Sequence, residues 1–138
     1  KPLGQQAMID MPFSEVITMA HHLKVREVRS LLNRSALADI RDASTPPPTA
    51  TDDLGRSAQR FELVVRLVQN GRTKTVGVRG QDIYAVTAPI VTEVALRLLA
   101  PSYRRSGALA VAEAVDPLDL IRSLHGSALQ LFGVPLAG

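Results

Sequence analysis

The chain has no cysteine, no tryptophan, and only three Phe and two Tyr in 138 residues. Without cysteine there are no disulfides, no thiol nucleophile and no thiolate-bound metal. So few aromatics leave little surface for stacking bases, and the basic residues do not compensate. The net charge is +3 and the pI about 9.8. Even so, thirteen acids are interleaved with sixteen bases, and only Arg104 and Arg105 are adjacent. No nucleic-acid partner is expected.

Long apolar runs are also missing. No stretch approaches the ~20 residues that span a bilayer. The first residues show no charged segment followed by an apolar signal core, so the expectation is no membrane span and a cytoplasmic location. Hydrophobic residues still make up 46% of the chain, enough for a core, and the length fits one domain over residues 1–138. The last absence is a phosphate loop. The nine glycines are scattered, and none forms the G-x-G-x-x-G spacing that lets backbone N–H groups reach a pyrophosphate. These residues are therefore expected to bind no dinucleotide by themselves.

Turning to what is present, Phe61, Leu63, Val65 and Leu67 alternate with Glu62, Val64, Arg66 and Val68, the pattern of a strand. Asn70-Gly71 supplies a type I′ turn, and Thr73 to Val78 returns as the second strand. Further strands are expected at Met8–Met11, Val16–Met19, Lys24–Leu32 and Gly107–Val111. A helix is expected after Thr87, capped by its hydroxyl, with Pro89 in the first turn and Pro101 as the stop. Its apolar stripe is Ile90, Val91, Val94, Ala95 and Leu98. Asp116-Pro117 opens a last helix with Leu120, Ile121 and Leu124 inward. Residues 35 to 57 read as loop, with the Pro46-Pro47-Pro48 run making 44–56 a flexible segment. Residues 126 to 138 read as a docking tail. Together these give an α+β fold, a mixed or antiparallel sheet with helices on one face.

Candidate chemistry is sparse. His21 and His22, if on a strand, point to opposite faces and cannot share a metal, so no metal site is expected. One buried and one solvated histidine is the bland reading; His21 in a substrate cleft is the functional one. Arg56, just before the hairpin, has the fork that suits a substrate carboxylate, although surface arginines are common. No Ser–His–Asp set or paired-carboxylate signature stands out, and the catalytic residues are unknown.

One long segment resembles a family. Gly80-Gln81-Asp82-Ile83-Tyr84-Ala85-Val86-Thr87-Ala88 is followed by the helix and then by Gly107-Ala108-Leu109-Ala110-Val111-Ala112-Glu113-Ala114-Val115-Asp116-Pro117. This is similar to the C-terminal part of saccharopine dehydrogenase-like oxidoreductases, with their G-x-D-P-Y-x-x-T-A and G-V-L-x-P-A-E-A-F-D-P segments. Ile83 and Val111 stand where that family has proline. Pro12-Phe13-Ser14-Glu15-Val16 resembles its P-F/W-G-D-V turn, with Ser14 for Gly, so the likeness runs over roughly residues 7 to 124.

The resemblance implies a second domain of the saccharopine dehydrogenase-like or glyceraldehyde-3-phosphate-dehydrogenase-like kind. Such a domain would bind a small-molecule substrate and form a homodimer through its sheet. NAD or NADP would sit on an upstream dinucleotide-binding domain. The parent protein would be an NAD(P)-dependent oxidoreductase, with the fragment alone inactive. Tyr84 and Thr87 would line the cleft facing the nicotinamide and a carboxylate substrate. Against this stands a structural reading, in which Asp82 orders the turn, Tyr84 packs its ring and Thr87 caps the helix. The alternative for the whole chain is a non-catalytic oligomerisation or binding module. An independent small enzyme is disfavoured by the absence of any nucleophile or metal motif.

Overall fold

A computed structural model describes residues 4–134. The chain is a small α+β fold with two antiparallel sheets and several helices. It divides into two compact units, Lys1–Pro47 and Pro48–Gly138, and the division falls at the triple proline inside the expected loop.

In the first unit, β1 (Met8–Asp10) pairs antiparallel with β2 (Leu31–Asn33), Ile9 opposite Leu32. Two helices accompany this ribbon, α1 (Ser14–His22) and α2 (Arg34–Arg41). Neither was expected. The β-branched Val16-Ile17-Thr18 run suggested a strand, but Glu15 lies in the first turn of α1, where a helix N-terminus favours a carboxylate. The Thr18 hydroxyl bonds back to the Glu15 carbonyl at 3.3 Å, satisfying itself within the helix. Asn33 starts α2, its Oδ1 accepting from the N–H groups of Ser35 (2.8 Å) and Ala36 (3.2 Å). Leu37 on that helix is buried. The expected strand over Lys24–Leu32 shrinks to Leu31–Asn33, because β1 offers only three residues to pair with.

The second unit is built on the expected hairpin. Strands β3 (Arg60–Gln69) and β4 (Arg72–Gln81) pair along ten residues each. Asn70 (φ 50°) and Gly71 (φ 74°) supply the positive angles of the two-residue turn. A third strand, β5 (Gln130–Phe132), pairs with Gly77–Arg79 of β4, giving the order β3-β4-β5. The stretch read as a docking tail therefore supplies a strand of the sheet at Gln130–Phe132; residues 135–138 lie outside the described residues. Its close approach depends on Gly77, where a Cβ would collide with the Phe132 ring.

Helices α3 (Thr87–Leu98), α4 (Val111–Ala114) and α5 (Pro117–Leu124) complete the unit. Asp116 caps α5 as expected, accepting from Leu118 and Asp119 N–H at 2.8 and 3.0 Å. The expected strand at Gly107–Val111 is instead the approach to α4. There the Glu113 carboxylate reaches back to the Ala110 N–H at 2.9 Å, the reciprocal half of a capping box. The core joins Val86, Val115, Leu120, Leu124 and Leu129, with Phe61, Val78, Ile90 and Val94 packed against it. Phe61 and Val78 lie on one face of the hairpin by register, so these helices cover that face at its base.

Leu124 is the most buried of the core side chains at 3% exposure. Leu124→Ala should cost about 3 kcal/mol in urea unfolding. Val91→Ala on the exposed side of α3 should cost under ~0.5 kcal/mol. Equal losses for the two would mean that the core is not where the structure puts it.

Candidate functional site

The Gly80–Ala88 segment begins in the last two residues of β4. Asp82 sits in the left-handed region, φ 56°, which a short polar side chain tolerates better than most. Its carboxylate then closes the turn. Oδ1 accepts from the N–H groups of Tyr84 and Ala85, each at 3.0 Å, and Oδ2 from the Ser57 N–H at 2.7 Å. The Asp82 backbone N–H also donates to the Gln59 carbonyl at 2.8 Å. The residue is only 6% exposed. Three N–H donors favour the anion, so the carboxyl is held down to about 2, first by the Ser57 amide, then by that of Ala85, against the opposing cost of burial.

The segment before the hairpin is drawn into the same junction. Ala50 bridges Ser57 across an antiparallel turn. Inside that turn the Asp52 carboxylate accepts from the N–H groups of Leu54 (3.1 Å) and Arg56 (2.9 Å), and from Arg56 Nε at 2.8 Å. Those bonds hold Asp52 below the usual carboxylate range, the Arg56 amide contributing most. Gln81 Nε2 donates to Asp52 Oδ2 (3.2 Å) and to the Ser57 carbonyl (2.9 Å). Residues 50–56 of the expected flexible segment, with Ser57, are thus tied to the end of β4.

Against this geometry the site residues fall as follows. Tyr84 is 70% exposed, so its ring does not pack as the structural reading expected. Its amide serves the turn and its side chain is displayed. Thr87 is exposed at the first residue of α3, its hydroxyl donating to the Ile83 carbonyl at 3.2 Å. The expected cap is not made; Val86 holds the N-cap position with no side-chain bond, and Asp82 orders the turn before it. Arg56 lies at the same junction with its Nε committed to Asp52. His21 belongs to the other unit and is exposed on α1. Its helical backbone replaces the strand that set it opposite His22. Asp52, Ser57 and Gln81 were not anticipated, although the Asp52–Arg56 spacing of four was visible.

Elsewhere in this unit a concavity of about 430 Å³ is lined by Arg97, Tyr103, Arg104, Arg105, Asp116 and Asp119, among others. Much of its charge is engaged in structure. Arg97 binds Glu93 at 2.5 Å and Asp119 at 2.7 Å, joining α3 to α5, and both partners hold its guanidinium more firmly protonated. Arg104 Nη1 donates to the carbonyls of Pro101 and Tyr103. Among the described residues, no three His, Asp or Glu side chains gather into a group that could hold a metal ion, and no helix is long and apolar enough to cross a membrane.

Compared with protein-family models, curated proteins and solved structures, the chain matches none.

The Asp82 junction carries a defined pH signature. Its folded-state pKa, about 2, lies below the ordinary aspartate value of 3.8, so its contribution is fully present above about pH 4. It is lost as pH falls toward 2. Asp82→Asn keeps one acceptor but turns an N–H group toward the Ser57 amide. It should lower the melting temperature by on the order of 5 °C at neutral pH and flatten the fall in stability between pH 4 and 2. An unchanged acid profile in that variant would assign the pH dependence to other carboxylates.

Proposed function

We propose that this chain is the substrate-binding and dimerisation domain of a saccharopine dehydrogenase-like NAD(P)-dependent oxidoreductase. The observation that supports it most is the Asp82 turn. The segment carrying the resemblance is the one in which a buried carboxylate fixes backbone on both sides while Tyr84 stands exposed. A rigid turn that displays an aromatic hydroxyl suits the wall of a substrate cleft, where the ring packs on the ligand and the phenol orients a polar group.

Within this reading Tyr84 and Thr87 orient the substrate, and Arg56, next to the Ser57 that bonds Asp82, contributes a charge from the same junction. A nicotinamide would supply the hydride chemistry. These residues do not themselves fit a dinucleotide, because no Gly-rich loop leads into a helix N-terminus. No step of hydride transfer is therefore assigned to them, and the cofactor belongs to a separate dinucleotide-binding domain.

A non-catalytic assembly module is the second reading. It is supported by the hairpin, where Leu63, Val64, Leu67 and Val68 are each at least half exposed.

The first of two titrations tests the division of labour, and the second separates the readings. Calorimetry of the 138-residue chain with NAD or NADP should show no binding; micromolar affinity would overturn the division of labour. In amide NMR, a panel of keto- and amino-dicarboxylates at millimolar concentration should shift Ile83 to Thr87, and Tyr84→Ala should abolish the shifts. No response from any carboxylate would leave the assembly module as the function.

A further inference from the structure

The hairpin is long for what covers it. Among the described residues, strand β3 occupies the edge of its sheet, paired with β4 on one side only. An edge of ten residues with no proline or bulge offers a row of unpaired backbone groups. Gln69 and Arg72 close a two-residue turn, so they form a hydrogen-bonded pair and the alternation is fixed from there. Residues 61, 63, 65, 67 and 69 bond inward to β4. The N–H and C=O groups of Arg60, Glu62, Val64, Arg66 and Val68 point out to the free edge.

We propose that β3 pairs with β3 of a second copy, antiparallel about a two-fold axis at Val64, making one six-stranded sheet. The register follows from charge. Centred on Glu62, the pairing sets Glu62 against itself. Centred on Leu63 it opposes Arg60 to Arg66, and centred on Arg66 it opposes arginine to arginine. Centred on Val65 it pairs no charges at all. Only the axis at Val64 sets Glu62 against Arg66 of the second copy, and by symmetry it does so twice.

The apolar residues agree with that register. Val64 meets Val64, extending the row Phe132–Gly77–Val64 that the sheet already holds. On the other face Leu67, 50% exposed, lies beside Phe61 of the second copy, and Leu63 beside Val65. Glu62, already opposite Arg79 within its own sheet, gains a second arginine. The uncovered tip of each hairpin is placed alongside the core-bearing base of the other. This inference rests on the proposal that the chain self-associates and uses nothing from the oxidoreductase reading.

The absence of cysteine makes the test direct. Paired Val64 Cα atoms should lie about 5.5 Å apart, within disulfide range. Val64→Cys should therefore cross-link into a dimer under mild oxidation. Val68→Cys, held roughly 27 Å from its counterpart, should not. In sedimentation at several concentrations, Arg66→Glu should weaken the wild-type dimer on the order of tenfold. Adding Glu62→Arg to it should restore association, with far-UV circular dichroism confirming that each variant folds. If Arg66→Glu does not fold, the two cysteine variants decide alone. A dimer that persists without the Val64→Cys cross-link overturns the edge pairing but leaves self-association standing. A wild-type monomer at every concentration overturns both.

Discussion

The second unit depends on one buried carboxylate. Asp82 accepts three backbone N–H groups, two from the turn that launches α3 and one from Ser57, 25 residues earlier. Its own N–H binds Gln59. Remove that charge and the end of β4, the start of α3 and the turn at 50–57 lose their common point. The left-handed backbone at Asp82 would by itself favour glycine. A glycine there would supply the angle and keep the bond to Gln59 but none of the three carboxylate bonds, which is the physical reason for an acid at this position.

The same junction holds the backbone of Tyr84 while its side chain is exposed. Its amide is held by Asp82 Oδ1, and Val86, two residues on, is buried in the core. The side chain projects from a backbone fixed on both flanks. Ordering that ring at a ligand would cost little additional backbone entropy, which is what a pre-organised contact requires. Arg56 differs in kind: its Nε already bonds Asp52, so its engagement with a substrate would compete with an existing ion pair.

What the sequence disclosed depended on whether the determining contacts were local. The hairpin was legible because alternation and Asn70-Gly71 are local signals, and α3 and α5 because their prolines and apolar stripes are. Helix α1 was missed because Val16-Ile17-Thr18 favours strand by propensity, while the deciding Glu15 acts only once a helix exists to present its N-terminus. Helix α2 was hidden by the nearby proline run, though its Asn33 cap was in plain view. Strand β5 has three residues and depends on Gly77 accepting the Phe132 ring, a contact no periodicity reports. At the site, the role of Asp82 in the turn was readable. Its bond to Ser57 was not, since nothing local links residues so far apart.

The shortness of β5 has a consequence for the hairpin. It pairs with β4 only over Gly77–Arg79, so from Thr73 to Val76 the ribbon is two-stranded. A two-stranded ribbon is marginal in water unless something packs on it. The described core reaches Phe61 and Val78 at the base, whereas Leu67 and Val68 near the turn stay half or more exposed on opposite faces. Among the described residues, no core contact accounts for the length of hairpin beyond the base. Edge pairing about Val64 would account for it, because it adds strands beside the part of β3 that β5 does not reinforce from the other side. The charges that fix the register also oppose indiscriminate association: three of the other four registers set like charges face to face.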